Sequence, residues 1–423
     1  MTSTTAAPTA PTAAPTAPTA APAGAPGGTR TSSGARRVPL SILDLATVSE
    51  GSTGQHAIRA SIDLAVAADA LGYHRLWFAE HHLAPGVASA APAVLAALAA
   101  DRTHRLRVGS GAVLLSTTSP LVAAEQFGSV AALHPGRVDL GVGRAFSPPP
   151  ADGTAPPPPP RPSVEARVVD GLPVPAPPPV DLNDSAFRER LLAQKRVIGA
   201  SRAPASLRDE LELVLGLRAG TYRDADGTPY VSPPAEGAAF DLWVLASSPG
   251  ESARVAGELG LPLAANYHVS PSSTLETVAA YRAAFRPGVL AAPYVLVSAD
   301  VLVAADDAHA QRLAEPFPAW VRSIRTSGSG AVAYPRPGTT TPWHELDDAT
   351  RALVRDRVDT RVVGDPDTVV ERLETLQRAT GADELLVTTV THDKRDTVRS
   401  FELLAGAWGL SAGAPAVADA FAR

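Results

Sequence analysis

The sequence predicts a (β/α)8 TIM barrel, and three observations carry that expectation. Apolar segments of strand length alternate with helical segments from Val38 onward, and eight such pairs can be counted. Proton-transferring and polar groups collect where the strands end, the face on which such barrels keep their sites. The foldable part, residues 38–411, is long enough for a barrel with insertions. A doubly wound open sheet is the competing architecture.

The elements follow in order. Val38–Asp44 is the first apolar strand. Gln55–Gly72 reads as an amphipathic helix, with Ile58, Ile62, Ala65, Val66 and Leu71 on one face and Gly72 as its stop. Arg75–Ala79 is the second strand, with an alanine-rich helix over Pro92–Ala100. Leu106–Leu115 is the third, and the helix Leu121–Leu133 begins after Pro120 and stops at His134, Pro135 and Gly136. Arg137–Val142 is the fourth. The order then breaks, because Ser147–Val180 is thick with proline and is expected to be an extended or mobile insertion with no core. Helical pattern returns at Ser185–Val197 and Leu207–Leu217. Asp241–Ala246 is the fifth strand, with a helix from Pro249 to near Gly260, and Leu263–Asn266 is a short sixth, with a helix over Thr274–Phe285. Tyr294–Val303 is the seventh, and its helix, Asp306–Ile324, is interrupted by Pro316 and Pro318. Ser327–Pro342 loops out. Pro366–Thr380 is a helix, Glu384–Val390 the eighth strand and Asp396–Trp408 the closing helix.

Bulk composition narrows the function. The 423 residues are 45% hydrophobic and 19% charged with net charge −6, which suits a globular chain with a substantial core. A mildly acidic balance gives no electrostatic footprint for nucleic acid or an anionic membrane. No apolar run is long enough to span a bilayer. The absence of cysteine excludes disulfides, thiolate metal sites and a cysteine nucleophile, and is compatible with a cytoplasmic location. Lys195 and Lys394 are the only lysines, so a phosphate contact falls to arginine or to backbone N–H groups. Residues 1–37, rich in Ala, Pro and Thr, are expected to be a disordered tail, and 412–423 a second tail.

The strand ends supply the candidate site. The second strand runs straight into Glu80, His81 and His82, a carboxylate and two imidazoles suited to proton transfer. A single histidine there would read as a side chain packed on a helix, but polar groups recur at the other ends. The first strand ends in Asp44, the fourth in Gly143 and Arg144, and the sixth in Asn266, Tyr267 and His268. After the fifth, Ser247, Ser248, Pro249 and Gly250 open a helix, whose first N–H groups attract an anion. The same residues read equally as a serine N-cap with Pro249 in the first turn. Arg144 is the candidate second phosphate group, with a surface ion pair as the alternative. Gly109 and Gly111 lie inside the third strand, where glycine marks close approach of a backbone or a flat ligand. A metal site is not expected, since neighbouring His81 and His82 point apart in an extended segment and no H-E-x-x-H motif occurs.

These segments together resemble the bacterial luciferase-like flavin-dependent monooxygenase family. The resemblance rests on Leu76–His82 (LWFAEHH), Val108–Leu115, Ser119–Phe127, Leu133–Arg144, Ser247–Ser248, Glu258–Pro262 and Gly381–Thr388. It implies a (β/α)8 barrel that takes reduced FMN from a separate flavin reductase and uses O2 to insert one oxygen atom into a small organic substrate. It further implies that His81 lies beside the flavin with Glu80 or His82 orienting it. Arg144, Ser247, Ser248 and Gly250 would hold the phosphate; Asp44 is expected at the cofactor site from its place at the end of the first strand, not from the resemblance. Gly111 and Ala112 would underlie the ring, joined by a cis peptide. Gly143 stands where the luciferases proper carry a reactive cysteine, which excludes thiol chemistry. The resemblance leaves open an F420-dependent oxidoreductase on the same scaffold, a flavin-binding protein without turnover, and a homodimer.

Overall fold

In a computed structural model, residues 37–144, 165–180, 185–199, 206–326 and 330–411 are described. Eight parallel strands close on themselves: β1 (Leu40–Asp44), β2 (Arg75–Phe78), β3 (Arg107–Ser110), β5 (Val138–Gly143), β8 (Phe240–Ala246), β9 (Leu263–Ala265), β10 (Val295–Val303) and β12 (Glu384–Thr388), which pairs back onto β1. The expected barrel is therefore the observed one. Two short strands extend it, β4 (Val113–Leu114) beside β5 and β11 (Val362–Gly364) beside β10. β6 (Arg167–Val169) and β7 (Leu172–Val174) form a separate antiparallel hairpin.

Helices clothe the outside, and their ends show why the chain turns where it does. α1 (Gly54–Leu71) is capped by the Thr53 hydroxyl, which accepts from His56 N–H, and stops at Gly72 with φ 86°. α2 (Pro92–Arg102) and α3 (Pro120–Leu133) each begin with proline in the first turn. α4 (Ser185–Ile198) and α5 (Leu207–Arg218) follow the hairpin, and α6 (Glu251–Glu258) and α7 (Thr274–Ala284) follow β8 and β9. The predicted helix after the seventh strand divides at Pro316 into α8 (Asp307–Ala314) and α9 (Phe317–Arg325). α11 (Pro366–Thr380) and α12 (Lys394–Trp408) lie near their expected bounds.

Alternate strand residues fill the barrel. Leu43, Trp77, Trp243, Leu245, Ala264, Leu296 and Leu386 form its apolar middle. Toward the amino ends the filling is ionic. Arg75 grips Glu384 through two nitrogens at 2.7 and 3.0 Å and Asp139 at 2.7 Å. Arg107 pairs with Asp139 at 2.6 Å and with Asp241, and Trp77 Nε1 donates to Asp139 at 2.9 Å. Glycine makes room above this layer. A Cβ on Gly109 would come within 2.2 Å of the Asp139 carbonyl oxygen, and one on Gly141 within 2.1 Å of that of Ser110.

Four expectations are corrected. The third strand is not continuous from Leu106 to Leu115; it breaks into β3 and β4 at the cis Gly111–Ala112 peptide. Part of the proline-rich insertion is structured, because Leu172 and Val174 are buried and Tyr267 Oη holds the Pro173 carbonyl at 2.7 Å. α10 (Asp348–Thr360) and β11 were not foreseen. Arg75, to which the sequence gives no role beyond starting the second strand, is the hub of the buried ion network. The tails 1–36 and 412–423 and residues 147–164 of the insertion lie outside the described residues.

Candidate functional site

The carboxyl ends of the strands surround a cleft of about 1030 Å³. Glu80, His81, Gly111, Ala112, Arg144, Ser247 and Ser248 all line it, so four strand ends scattered through the sequence meet at one mouth. Its floor is apolar, made by Leu43, Leu45, Ala112 and Leu245. The Gly111–Ala112 peptide, which is cis, lies on that floor. The volume stands at the upper end of the range for small-molecule sites, with room for a planar cofactor and a second molecule.

One part of the cleft is built for an anion. α6 begins at Glu251 behind Gly250, and no side chain caps it. The expected serine N-cap is therefore not formed, and the first N–H groups of the helix remain open beside the exposed Ser247 and Ser248 and the cleft-lining Ser252. Asn266 Nδ2 donates to Ser247 Oγ at 3.0 Å, and Ser273 Oγ to the Ser247 carbonyl at 2.9 Å, which fixes the turn. Gly250 sits close behind it, where a Cβ would approach the Ser248 hydroxyl to 3.3 Å. Arg144 reaches the same end but is already engaged, with Glu210 at 3.2 Å and Glu251 at 3.3 Å. These donors suit a phosphate, though the two carboxylates offset the cation that would meet it.

The acid–base groups divide their work differently from the expectation. Glu80 is buried, and its carboxylate accepts from Leu114 N–H at 3.0 Å, from Thr117 Oγ1 at 2.7 Å and from His82 Nε2 at 2.8 Å. It holds the segment after the cis peptide and ties back His82; it does not orient His81. Among the described residues the His81 ring has no hydrogen-bond partner. The ring keeps an open face on the cleft yet lies deep in the protein, and burial followed by the neighbouring His82 lowers its pKa against the pull of Glu80. Burial and His82 thus favour the neutral imidazole.

Asp44 is not brought to the cleft. Leu43 points into the barrel, so Asp44 points out, into a small separate cavity lined also by Ser61, Thr389, Lys394 and Thr397. Burial raises the Asp44 pKa and lowers that of Lys394, while each acts on the other in the opposite sense. His268 was noted at the sixth strand end but given no role. It lines the cleft, and its Nδ1 lies 2.6 Å from Ser298 Oγ. Burial, with Arg357 behind it and His81 nearby, brings its pKa down to about 4 against Asp300. Pro177, Pro178 and Val180 form one wall, and Arg325 and Asp356 from α9 and α10 another. The proline wall lies in a segment expected to have no core, and Asp356 of the second wall lies on α10, which the sequence pattern did not reveal.

The chain is similar to known proteins over most of its length. The family described as luciferase-like monooxygenase matches residues 38–163 and 192–384. A luciferase-like monooxygenase of Escherichia coli is 33% identical over 371 residues, covering 87% of this chain and 96% of that protein. The crystal structure of apo-MsnO8 is 34% identical with a TM-score of 0.66, covering 89% and 99% of the two chains. The oxygenating constituent of a 3,6-diketocamphane monooxygenase from Pseudomonas putida, solved with FMN, shares the fold at 20% identity and a TM-score of 0.55, covering 87% and 96%.

Proposed function

The chain belongs to the luciferase-like monooxygenase family, and we propose that it is an FMN-dependent monooxygenase. It would take reduced FMN from a separate reductase and use O2 to oxygenate a small organic substrate. One observation carries this reading: a single cleft joins an uncapped helix N-terminus and its serines to an apolar floor and an imidazole whose neutral form burial favours. A phosphate suits the first, a flat ring the second, and proton transfer beside the ring the third.

When bound, the reduced flavin supplies both electrons and the site of O2 activation, so that one oxygen atom enters the substrate and the other leaves as water. The chain does the rest. The N–H groups at the start of α6, with Ser247, Ser248 and Ser252, would hold the phosphate, and Gly111 and Ala112 would support the ring. His81 would donate or accept a proton at the flavin edge, with Glu80 fixing the loop beneath. Leu43, Leu45, Leu245 and the proline wall would keep water out.

Anaerobic titration with reduced FMN tests the reading. Binding should quench the indole fluorescence of Trp77 and Trp243, which pack in the barrel beneath the floor. Reductase-coupled oxygen uptake over a substrate panel should rise above the flavin autoxidation blank. Replacing His81 with Ala should leave FMN binding within about 3-fold and lower coupled oxygenation by about 100-fold. Saturable binding of F420 without FMN binding would move the protein to hydride transfer. FMN binding with no uptake above the blank for any compound would make it a flavin carrier.

A further inference from the structure

Behind the α9–α10 wall of the cleft lies a second polar cluster that the proposed chemistry does not use. We propose that Arg357 and Arg361, with the Trp320 indole and the Tyr334 hydroxyl, form a buried site for a carboxylate. The inference does not rest on the flavin reading.

The cluster is tightly packed around aromatic rings. The Arg361 guanidinium carbon lies 4.0 Å from the centroid of Phe317, and that of Arg357 lies 5.5 Å from the same ring and 5.9 Å from Trp320. The rings of Trp320 and Tyr334 are 5.9 Å apart. All four polar side chains are more than nine-tenths buried. Yet Arg357 Nε, Arg361 Nε and Nη1, Trp320 Nε1 and Tyr334 Oη make no hydrogen bond among the described residues. Every one of these five groups can donate. Arg361 lies close enough to Tyr334 to lower the pull of burial on its hydroxyl, but the two do not meet in hydrogen-bonding geometry.

The charges are also unequal. Arg325 is held by both oxygens of Asp356, and Arg357 by Asp300 at 2.9 Å. Among the described residues, Arg361 donates to the Val390 carbonyl alone, at 3.0 Å. Glu315, the remaining carboxylate acting on Tyr334, is committed to Gly338 N–H and Thr340 Oγ1. Among the described residues, Arg361 is thus the guanidinium of this cluster that no carboxylate holds, whereas Arg325 and Arg357 each have one. A buried cation without a counter-charge is costly, and unmet donors add to that cost. A planar anion with two acceptor oxygens would answer both, and arginine's fork suits a carboxylate. The cluster adjoins the cleft: Arg325 and Asp356 line it, and Leu45 packs against both the cluster and the floor. The carboxylate could therefore belong to a substrate in the cleft or to a free small anion.

The test uses the full chain without flavin. Thermal unfolding at pH 7.5 is followed in sodium formate and, at the same ionic strength, in sodium fluoride. Formate should raise the wild-type Tm by about 2–4 °C. Arg361→Met should lose that rise and, relieved of a cation without a carboxylate partner, should melt no lower than wild type in fluoride. Crystals soaked in bromide should show an anomalous peak within hydrogen-bonding distance of Arg361 Nη1, a readout that stands even if the variant fails to fold. Benzoate that competes with formate would assign the site to a substrate carboxylate entering from the cleft; formate binding without benzoate binding would assign it to a free small anion. A formate effect that survives Arg361→Met, or the absence of both formate effect and bromide peak, overturns the proposal and leaves the cluster to water.

Discussion

At the scale of single residues, the cleft is organised by two imidazoles whose pKa values burial lowers and one carboxylate held by three donors. His268 has its pKa at about 4, below the 6.5 of an unfolded histidine. A depressed histidine contributes stability that is complete above pH 6.5 and is lost as the pH falls toward 4. The expected outcome is a fall in Tm between pH 7.5 and 5.0, and His268→Asn, which can keep a bond to Ser298, should remove part of it. Allowing for the ring's part-open position, that part is about 1 kcal/mol. A Tm profile indistinguishable between the two proteins would mean that His268 titrates as in water. Glu80 makes a different prediction. Glu80→Ala strands the Leu114 N–H and the partners Thr117 and His82, so urea unfolding should show a loss of about 2–4 kcal/mol. FMN affinity should fall with it, because the floor loses its anchor.

At the scale of elements, α6 decides how the cofactor's charge is met. Its N-terminus is open, but Glu251 in the first turn engages Arg144 and also accepts from Leu207 N–H at 3.3 Å. Glu251→Gln would remove a negative charge from beside the proposed phosphate and release Arg144 from one of the carboxylates that engage it. The FMN dissociation constant should fall by about 2–5-fold, most clearly at low salt. A weaker complex would show that Glu251 serves to place the turn. Such roles were unevenly legible in the sequence. The strand ends were readable because β-α alternation fixes which end faces the cleft, and that argument brought Glu80, His81, Arg144, Ser247 and Ser248 together. Asp44 was misplaced because the end of a strand says nothing about the side to which its last residue points; the period of two, with Leu43 inward, carries that information. α10 escaped because its apolar stripe is thin, Leu353, Val354 and Val358 among charges. Without α10 the arginine cluster had no scaffold in the sequence, and Arg325 and Asp356 could not be placed on the cleft.

At the scale of the whole molecule, the cleft stands on an ionic plug. Trp77 and Trp243 pack edge to face at 5.1 Å beneath the floor, and Arg75 lies 4.7 Å from the Trp243 ring. Below them Asp139 and Glu384 balance Arg75 and Arg107, all buried. No local pattern announces this layer. It exists because inward positions of β2, β3, β5, β8 and β12 come to neighbouring levels only when the barrel closes. A buried network of this kind adds little over an apolar core, but removing one member leaves its partners uncompensated. Asp139→Asn should therefore cost about 3–5 kcal/mol in urea unfolding, because both arginines and the Trp77 indole lose a charged acceptor. The same network sets the acid limit. The arginines hold the Asp139 and Glu384 carboxyls below their ordinary 3.8 and 4.5, overcoming a burial that pushes them up. Depressed carboxyls contribute stability that is present above those values and is lost as the pH falls through the lower folded ones. Wild type should thus lose stability steeply below about pH 4, and Asp139→Asn should start lower but fall less steeply there. Parallel acid profiles for the two proteins would show that the plug does not govern acid unfolding. If the plug also sets the floor, the variant should bind FMN more weakly at pH 7.5, where it is still folded.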